Sequence, residues 1–393
     1  MKRARMILAS AMVSTLLIAL LAGAASAQGA PCPAPDARIV IADDALAAAI
    51  RAALVSERTA ITCRDMARLR RIQGNGAGIT RLDGIEHAVN LTRLDLRDNQ
   101  ITDLSPIGNL PRLTRLDLRN NPVADLRPLA GLPRLTHLEL QGTGVADLAP
   151  LAALPGLQTL NLRRNGLVDI SALAALTGLQ VLNLRDNDVE DITPLRTLRD
   201  LRQLSLQNNR ITSARALGDL IELRSLALDG NALRDGAGLG VHDKLTTLSL
   251  RGNELQSLGF IFSLFSLESL DVRSNALTDI RALRGVDTLQ TLLLGRNQVA
   301  DVGALAGLHG LRRLDLERNA VTSVAALAEL RALEDLDLSR NRIADATPLL
   351  ALGALTSLRI DRNCLAGETL AQPLDQLAGR GVAVEAGSQR TCE

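Results

Sequence analysis

The sequence predicts an α/β solenoid, a rod of stacked coils in which each coil adds one short strand to a curved parallel sheet. Three observations predict it: an unbroken 22-residue spacing of leucines, an asparagine in the same register, and very few aromatic residues. The leucines stand at positions 91, 113, 135, 157, 179, 201, 223, 245, 267, 289, 311, 333 and 355. The asparagines stand at 99, 121, 165, 187, 209, 231, 253, 275, 297, 319, 341 and 363, with Thr143 as the exception.

Composition supports a repeating core. The 393 residues are 47% hydrophobic, yet they include three Phe, no Trp and no Tyr. Because an ordinary globular core uses more aromatic residues, this core must be filled by leucine and alanine. Apolar side chains of nearly one size favour a regular lattice of stacked coils.

The strand of each coil is predicted from two more leucines, three and five residues after the first, as in Leu94 and Leu96. Val272 and Ile360 are the only substitutions at the second of these positions. The complete L-x-x-L-x-L-x-x-N-x-L pattern is the leucine-rich repeat signature. Leucines two residues apart point inward from a short strand, and the residues between them face solvent. The sequence therefore predicts a leucine-rich repeat solenoid.

The rest of each coil has its own pattern. An inward asparagine without partners would cost about 1–3 kcal/mol, so the column must bond to backbone groups of its own and neighbouring coils. Apolar residues then recur every third position, as in Ile101, Leu104 and Ile107, which favours extended or 3₁₀ turns on the convex side. Asp and Pro at fixed positions, as in Asp103 and Pro106, are typical turn residues.

Four segments follow from these patterns: 1–27 as a signal peptide, 28–68 as an N-terminal cap, 69–363 as the solenoid, and 364–393 as a C-terminal cap. The first segment has basic residues, an apolar run and an A-x-A site ending at Ala27, which is typical of a cleavable secretory signal. We therefore expect a secreted or periplasmic protein with no membrane insertion after cleavage.

The caps are predicted from breaks in the repeat. A degenerate first coil runs from Leu69 to Ile85, and an apolar helix with an Asp N-cap runs from Asp43 to Leu54 and covers it. At the other end, we expect a closing helix over 370–379 and a last strand over 382–385.

Four cysteines bracket the caps: Cys32, Cys63, Cys364 and Cys392. Four cysteines permit three pairings, but the whole solenoid separates the two caps, so we expect the local disulfides Cys32–Cys63 and Cys364–Cys392. A zinc site needs closer ligands, and the sequence predicts no metal.

Charge and motifs exclude several functions. The 44 basic and 43 acidic residues become 41 and 43 when the signal is removed, which argues against a nucleic-acid partner. The sequence has no P-loop, H-E-x-x-H, C-x-x-C or G-x-S-x-G motif, and its four histidines are scattered. We expect no catalytic residues and no cofactor.

The 22-residue pattern over Leu91–Ile107 and the Asp-Asp-Ala-Leu start of the cap helix resemble the bacterial internalin-like leucine-rich repeat proteins. The resemblance covers nearly the whole mature chain. It implies a curved rod that binds another protein through its concave strand face. Receptor-gripping members of that family expose concave aromatic residues, which this sequence lacks, so the resemblance does not extend to host invasion.

The candidate binding residues are the outward strand positions near the N-terminus: Arg93, Asp95, Arg97, Arg115, Asp117, Arg119, His137, Glu139, Arg163 and Arg185. Two interpretations remain open. They form a charged docking face, or they form a solvated ladder whose charges neutralise one another. Later rows turn acidic, at Asp315, Glu317, Asp335 and Asp337.

The only aromatic residues, Phe260, Phe262 and Phe265, lie outside the inward register. The preceding coil is underfilled, because Gly236 and His242 replace inward leucines. Either Phe262 or Phe265 leans over that defect, or the phenylalanines form an exposed convex contact patch. We interpret His242 as a hydrogen-bonded core histidine.

Taken together, the sequence predicts a monomeric, non-enzymatic scaffold that recognises a protein partner. Two alternatives stay open: an envelope structural or glycan-contacting protein, and an intracellular leucine-rich repeat protein that resembles a regulatory subunit. The signal peptide and the expected disulfides oppose the second alternative.

Overall fold

The computed structural model describes Cys32 and residues 34–54, 60–365 and 368–390. The signal peptide that we predict over 1–27 lies outside these residues. Most of the predicted N-terminal cap, the whole solenoid and most of the C-terminal cap lie within them.

Fifteen strands of the described chain form one parallel sheet in chain order, which confirms the predicted solenoid. An antiparallel pair, β1 (Arg38–Ile39) and β2 (Ile61–Thr62), precedes it. The sheet comprises β3 (Arg71–Gln73), β4 (Arg93–Asp95), β5 (Arg115–Asp117), β6 (His137–Glu139), β7 (Thr159–Asn161), β8 (Val181–Asn183), β9 (Gln203–Ser205), β10 (Ser225–Ala227), β11 (Thr247–Ser249), β12 (Ser269–Asp271), β13 (Thr291–Leu293), β14 (Arg313–Asp315), β15 (Asp335–Asp337), β16 (Ser357–Arg359) and β17 (Ala383–Glu385).

The described helices are short and lie in the caps or on the convex side. The α-helices are α1 (Asp44–Leu54), α2 (Cys63–Arg68) and α3 (Glu368–Gly379). The 3₁₀ helices are Ile85–His87, Ser105–Ile107, Arg127–Gly131, Ala149–Ala153, Ser171–Ala175, Thr193–Thr197, Arg215–Asp219, Ile261–Ser263, Arg281–Leu283, Gly303–Leu305, Ala325–Glu329 and Thr347–Ala351.

The 22-residue period fixes the strand register. Leu94 lies opposite Leu116, which lies opposite Leu138, so equivalent residues of successive coils form straight columns. The inward leucines of these columns are fully buried. Because side chains alternate along a strand, the same register places residues 93, 95 and their equivalents in parallel columns on the concave surface.

The buried asparagines tie each coil to the one before it. Asn209 accepts a hydrogen bond from the N–H of Val189, 3.0 Å away, and donates to the carbonyl oxygens of Leu184 (3.0 Å) and Leu206 (2.9 Å). The same geometry recurs along the described coils, for example at Asn121 and Asn341. Each side chain thus satisfies backbone groups of two coils, as the sequence predicts.

Thr143 interrupts this ladder. Its hydroxyl is 3.0 Å from the carbonyl oxygen of Leu140 in its own coil and 3.0 Å from Oδ1 of Asn165 in the next. The N–H of Val123, in the preceding coil, donates instead to the carbonyl oxygen of Asn121, 2.8 Å away. The threonine therefore replaces only part of what an asparagine supplies.

The aspartates of the convex turns cap the chain that follows them. The carboxylate of Asp279 accepts a hydrogen bond from the N–H of Arg281 (2.8 Å) and pairs with its guanidinium (2.6 Å). These two contacts hold the pKa of Asp279 at about 2. Asp169 accepts from the N–H of Ser171 in the same way, and its pKa is also lowered. The recurring Asp is thus a turn residue, as predicted.

The N-terminal cap covers the first coil through α1. Asp43 Oδ1 accepts the N–H of Leu46, and Oδ2 accepts the N–H groups of Thr80 and Arg81. Burial opposes the effect, but these hydrogen bonds lower the pKa of Asp43. One carboxylate therefore starts the helix and anchors it to the solenoid.

Two features of this cap were not predicted, namely the antiparallel pair β1–β2 and helix α2. Thr62 and Asp65 form a capping box at the start of α2. The predicted disulfide Cys32–Cys63 is present, with its Cα atoms 5.8 Å apart, and it joins the chain before β1 to the first residue of α2.

The C-terminal cap follows the predicted order. Helix α3 begins two residues before the predicted helix, and β17 adds to β16 in parallel at the end of the sheet. Cys364 is disulfide-bonded. Its predicted partner, Cys392, lies outside the described residues.

We expect Asn209→Ala to lower the free energy of unfolding by about 1–3 kcal/mol, because it leaves buried groups of two coils without partners. Thr143→Ala should cost less, since Thr143 already satisfies fewer groups. Urea unfolding of both variants and the parent measures the difference. An equal loss for the two variants would show that the ladder does not hold the coils together.

Candidate protein-binding face

The predicted binding residues lie together on the N-terminal part of the concave surface. Strands β4 to β6 place Arg93, Arg115 and His137 in one column and Asp95, Asp117 and Glu139 in the next. A shallow depression of about 150 Å³ lies between these columns and is also lined by Arg119. The structure thus brings together most of the residues that the sequence singles out.

Much of the charge in these columns is neutralised locally. Asp95 is buried between the guanidinium groups of Arg71 (3.0 Å) and Arg93 (2.8 Å). Arg119 donates two hydrogen bonds to the carboxylate of Asp117, at 2.9 and 2.5 Å. Hydrogen bonding and the charges of acidic neighbours outweigh burial and raise the pKa of Arg119. For these residues, the neutralised ladder describes the surface correctly.

Asp186 organises the next part of the face, although the sequence analysis did not select it. Its carboxylate is 2.8 Å from Arg163 Nε and 3.5 Å from Arg185 Nε, and it accepts a hydrogen bond from Asn208. Partial burial opposes the effect, but these hydrogen bonds and cations hold the pKa of Asp186 at about 2. Asp186 occupies the turn position directly before the ladder asparagine, which lies outside the outward strand positions that supply the predicted binding residues.

Two predicted arginines remain accessible. Arg115 is exposed and forms no ion pair with any described residue. The nearest carboxylate to Arg97, that of Asp98, is 3.7 Å away. Burial and the charge of Arg115 both lower the pKa of His137, so His137 is uncharged near neutral pH. Of the six predicted arginines, Arg97 and Arg115 are therefore the two without a carboxylate of any described residue within 3.5 Å.

The opposite end of the concave surface is acidic, as the sequence predicts. Asp315 lies opposite Asp337 in the register, and Arg313 lies opposite Asp335. Burial raises the pKa of Asp315, and the like charges of Asp337 and Glu317 add to the effect. The concave surface thus changes from basic to acidic along the rod.

The structure decides between the two interpretations of the phenylalanines. Neither Phe262 nor Phe265 covers the underfilled coil, because their side chains are 70% and 71% exposed. Phe260 is half-buried against the core, and its ring occupies the space in front of Gly236, where an added Cβ would lie 2.0 Å from Phe260 Cδ1. Its position in the turn before a 3₁₀ helix lets it turn inward. Phe262 and Phe265 are thus the exposed members of the predicted convex patch.

His242 is fully buried, and its two ring nitrogens lie 2.9 Å from the carbonyl oxygen of Leu239 and 3.0 Å from that of Leu217. It joins two coils in the way the asparagines do. This agrees with the prediction of a hydrogen-bonded core histidine.

Within the described chain, no group of three or more His, Cys, Asp or Glu side chains is arranged to hold a metal ion. None of the described helices is both long enough and apolar enough to span a membrane.

Comparison with known proteins identifies the repeat family. Models of leucine-rich repeats match residues 89–131, 133–175, 155–197, 177–217 and 298–343. A search of curated protein sequences returns no match.

Several solved structures share the fold. An internalin, InlF, from Listeria monocytogenes is 32% identical over 80% of this chain and 94% of its own, with a TM-score of 0.78. Internalin C2 from the same organism is 37% identical over 53% of this chain and 93% of its own, with a TM-score of 0.52. A leucine-rich repeat protein from Leptospira interrogans is 22% identical over 84% of this chain and 93% of its own, with a TM-score of 0.74.

We expect Phe260→Ala to lower the free energy of unfolding by about 2 kcal/mol, because it opens a cavity beside Gly236. Phe262→Ala and Phe265→Ala are matched controls and should change it by less than about 0.5 kcal/mol, since both rings lie in solvent. Thermal or urea unfolding measures all three. A large loss in either control would show that its ring, rather than that of Phe260, supports the coil.

Proposed function

Because the chain belongs to the internalin-like leucine-rich repeat proteins, we propose that it is a scaffold that recognises a protein partner through the N-terminal part of its concave face. The observation that carries the proposal is the arrangement around Arg97 and Arg115. These two cations are accessible, whereas Arg93, Arg119 and Arg163 beside them are held in ion pairs of 2.5 to 2.8 Å. Arginine is a frequent hot-spot residue in protein interfaces.

The ion pairs favour binding because they hold the arginine side chains in one conformation. Asp95 fixes Arg93, Asp117 fixes Arg119, and Asp186 fixes Arg163. Binding therefore costs little conformational entropy at these side chains, because they are already ordered in the free protein. The free-energy gain then comes from contacts with Arg97 and Arg115 and from the match of the remaining surface.

The change of sign along the rod gives the face a direction. Basic residues dominate near Arg97 and Arg115, whereas Asp315 and Asp337 make the far end acidic. A partner with the complementary order of charges would be steered into one orientation. We expect an acidic region of the partner to lie over β4 to β6.

We further propose that the protein acts outside the cytoplasm, in the periplasm or as a secreted protein, and that it has no enzymatic activity. The signal-like sequence over 1–27 and the Cys32–Cys63 disulfide support the location. The absence of a catalytic motif in the sequence supports a binding role.

The alternative of a glycan-contacting concave face has less support. Neutral sugars stack on aromatic rings, and no outward strand position of the concave rows holds an aromatic residue. The disulfide also opposes an intracellular regulatory role.

The test is affinity capture from extracellular and envelope fractions with three forms of the protein. The variant Arg97→Glu/Arg115→Glu reverses the accessible concave charges. The control Arg112→Glu/Arg134→Glu makes the same change of charge at two exposed arginines in the turns just before β5 and β6, neither of which forms an ion pair with a described residue. We expect the concave variant to lose its protein partner by at least about tenfold in affinity, and the control to retain it.

Two results would contradict the proposal. Equal partner binding by all three forms would move recognition away from the N-terminal concave face. Loss in the control alone would place recognition on the side of the rod where the strands begin.

A further inference from the structure

A second cationic surface lies at the other end of the rod, on the flank where the last strands end. It is a groove of about 750 Å³ lined by five arginines together with Asn319, Asn341 and Ser388. The arginines are Arg318, Arg340, Arg342, Arg362 and Arg390. All five are exposed, and no carboxylate lines the groove.

The period of the solenoid aligns three of these arginines. Arg318, Arg340 and Arg362 occupy the same turn position in consecutive coils, directly before the ladder asparagine, and Arg296 precedes them. Neighbouring strands are about 4.8 Å apart, so the column is a straight row of cations along the rod. A row with this spacing suits a ligand that is itself extended and repeatedly charged.

The geometry of the turn does not explain the choice of arginine. The position has a left-handed backbone, with φ between 55° and 60° in these four coils. Most earlier coils fill it with glycine or with a short polar residue, such as Asp98, Asn120 or Gly142, which adopt this conformation readily. Arginine gains no such local benefit, and a row of like charges repels itself.

Few carboxylates offset this charge. Glu317 lies between Arg296 and Arg340, 3.6 and 3.7 Å from their Nε atoms, and Asp361 is 3.7 Å from Arg362. Arg318 and Arg342 form no ion pair with any described residue. The flank thus differs from the N-terminal concave face, where Arg93, Arg119 and Arg163 each have a carboxylate within 3 Å.

Arg390 closes the groove at the C-terminal cap. Its guanidinium donates to the carbonyl oxygen of Arg362 at 2.6 and 3.1 Å and to that of Asn341 at 3.3 Å. These contacts hold the guanidinium beside the row without neutralising its charge. The cap therefore extends the cationic surface by one fixed member.

We propose that this flank binds a linear anionic glycan that carries sulfate or phosphate groups. The guanidinium group matches such oxyanions through paired hydrogen bonds, and the row presents several guanidinium groups at regular spacing. The site is separate from the concave face, so one rod can hold a polyanion and a protein at the same time.

Other polyanions fit the groove less well. An acidic peptide would need apolar anchors, but the exposed large apolar side chains of the described chain all lie at or before Phe265. Single-stranded nucleic acid is bound by stacking its bases on aromatic rings, and the groove lining contains none. The lining side chains are guanidinium, amide and hydroxyl groups.

The test measures binding of a fluorescent dextran sulfate oligosaccharide to the full mature protein by anisotropy. Neutral dextran of equal length, poly-glutamate and a single-stranded DNA of matched charge are the competing probes. The variant Arg318→Gln/Arg340→Gln/Arg342→Gln removes three charges from the groove. The control Arg127→Gln/Arg234→Gln/Arg281→Gln removes three exposed charges from the convex turns.

We expect the groove variant to lose at least about tenfold in affinity for dextran sulfate and to show a weaker salt dependence. The control should stay within about twofold of the parent. Arg342→Gln alone, at a residue without an ion pair, should give a smaller loss in the same direction and guards against misfolding of the triple variant.

Three results would overturn the proposal: no binding of dextran sulfate by the parent protein, an equal loss in the groove and control variants, or tighter binding of poly-glutamate or DNA than of dextran sulfate. The concave variant Arg97→Glu/Arg115→Glu should bind dextran sulfate like the parent. Failure of the protein-binding proposal would therefore leave this measurement unaffected.

Discussion

The hydrogen bonds of the ladder asparagines hold the coils of this solenoid in one register. Leucine burial drives each coil to pack on its neighbour, but apolar contacts alone do not fix one register. Asn209 and its equivalents do so, because each amide must meet backbone groups at defined places in two coils. The cost of leaving those groups unpaired makes any other offset between coils unfavourable.

Because the register is fixed, equivalent residues of successive coils align in columns on the surface. The residues in these columns explain both proposed sites. On the concave face, Arg and Asp columns lie side by side and pair at short distances, which leaves Arg97 and Arg115 accessible within a rigid surface. On the C-terminal flank, three arginines stand in one column beside few carboxylates. The same lattice thus gives a neutralised surface in one place and a cationic row in another, according to which residues fill neighbouring columns.

The period made most of this fold predictable. It placed the strands, the buried leucines, the asparagine partners and the concave columns, since each follows from position within 22 residues. It did not predict that Phe260 turns inward while Phe262 stays in solvent, because that choice depends on the space left by Gly236 in another coil. Asp186 and the arginine row occupy the turn position directly before the ladder asparagine, and the leucine and asparagine signature does not constrain which residue fills it. Helix α2 lies outside the repeat, where only a capping box of Thr62 and Asp65 marked it.

Site-specific photo-crosslinking can locate a protein partner on the concave face. A photoreactive residue is placed at Thr159, on the concave side of β7, or at Ala152, in the convex 3₁₀ helix just before it. Both forms are then irradiated in extracellular and envelope fractions. We expect one protein to crosslink to the Thr159 form and not to the Ala152 form. Crosslinking of that protein to the Ala152 form alone would show that it lies on the convex side instead.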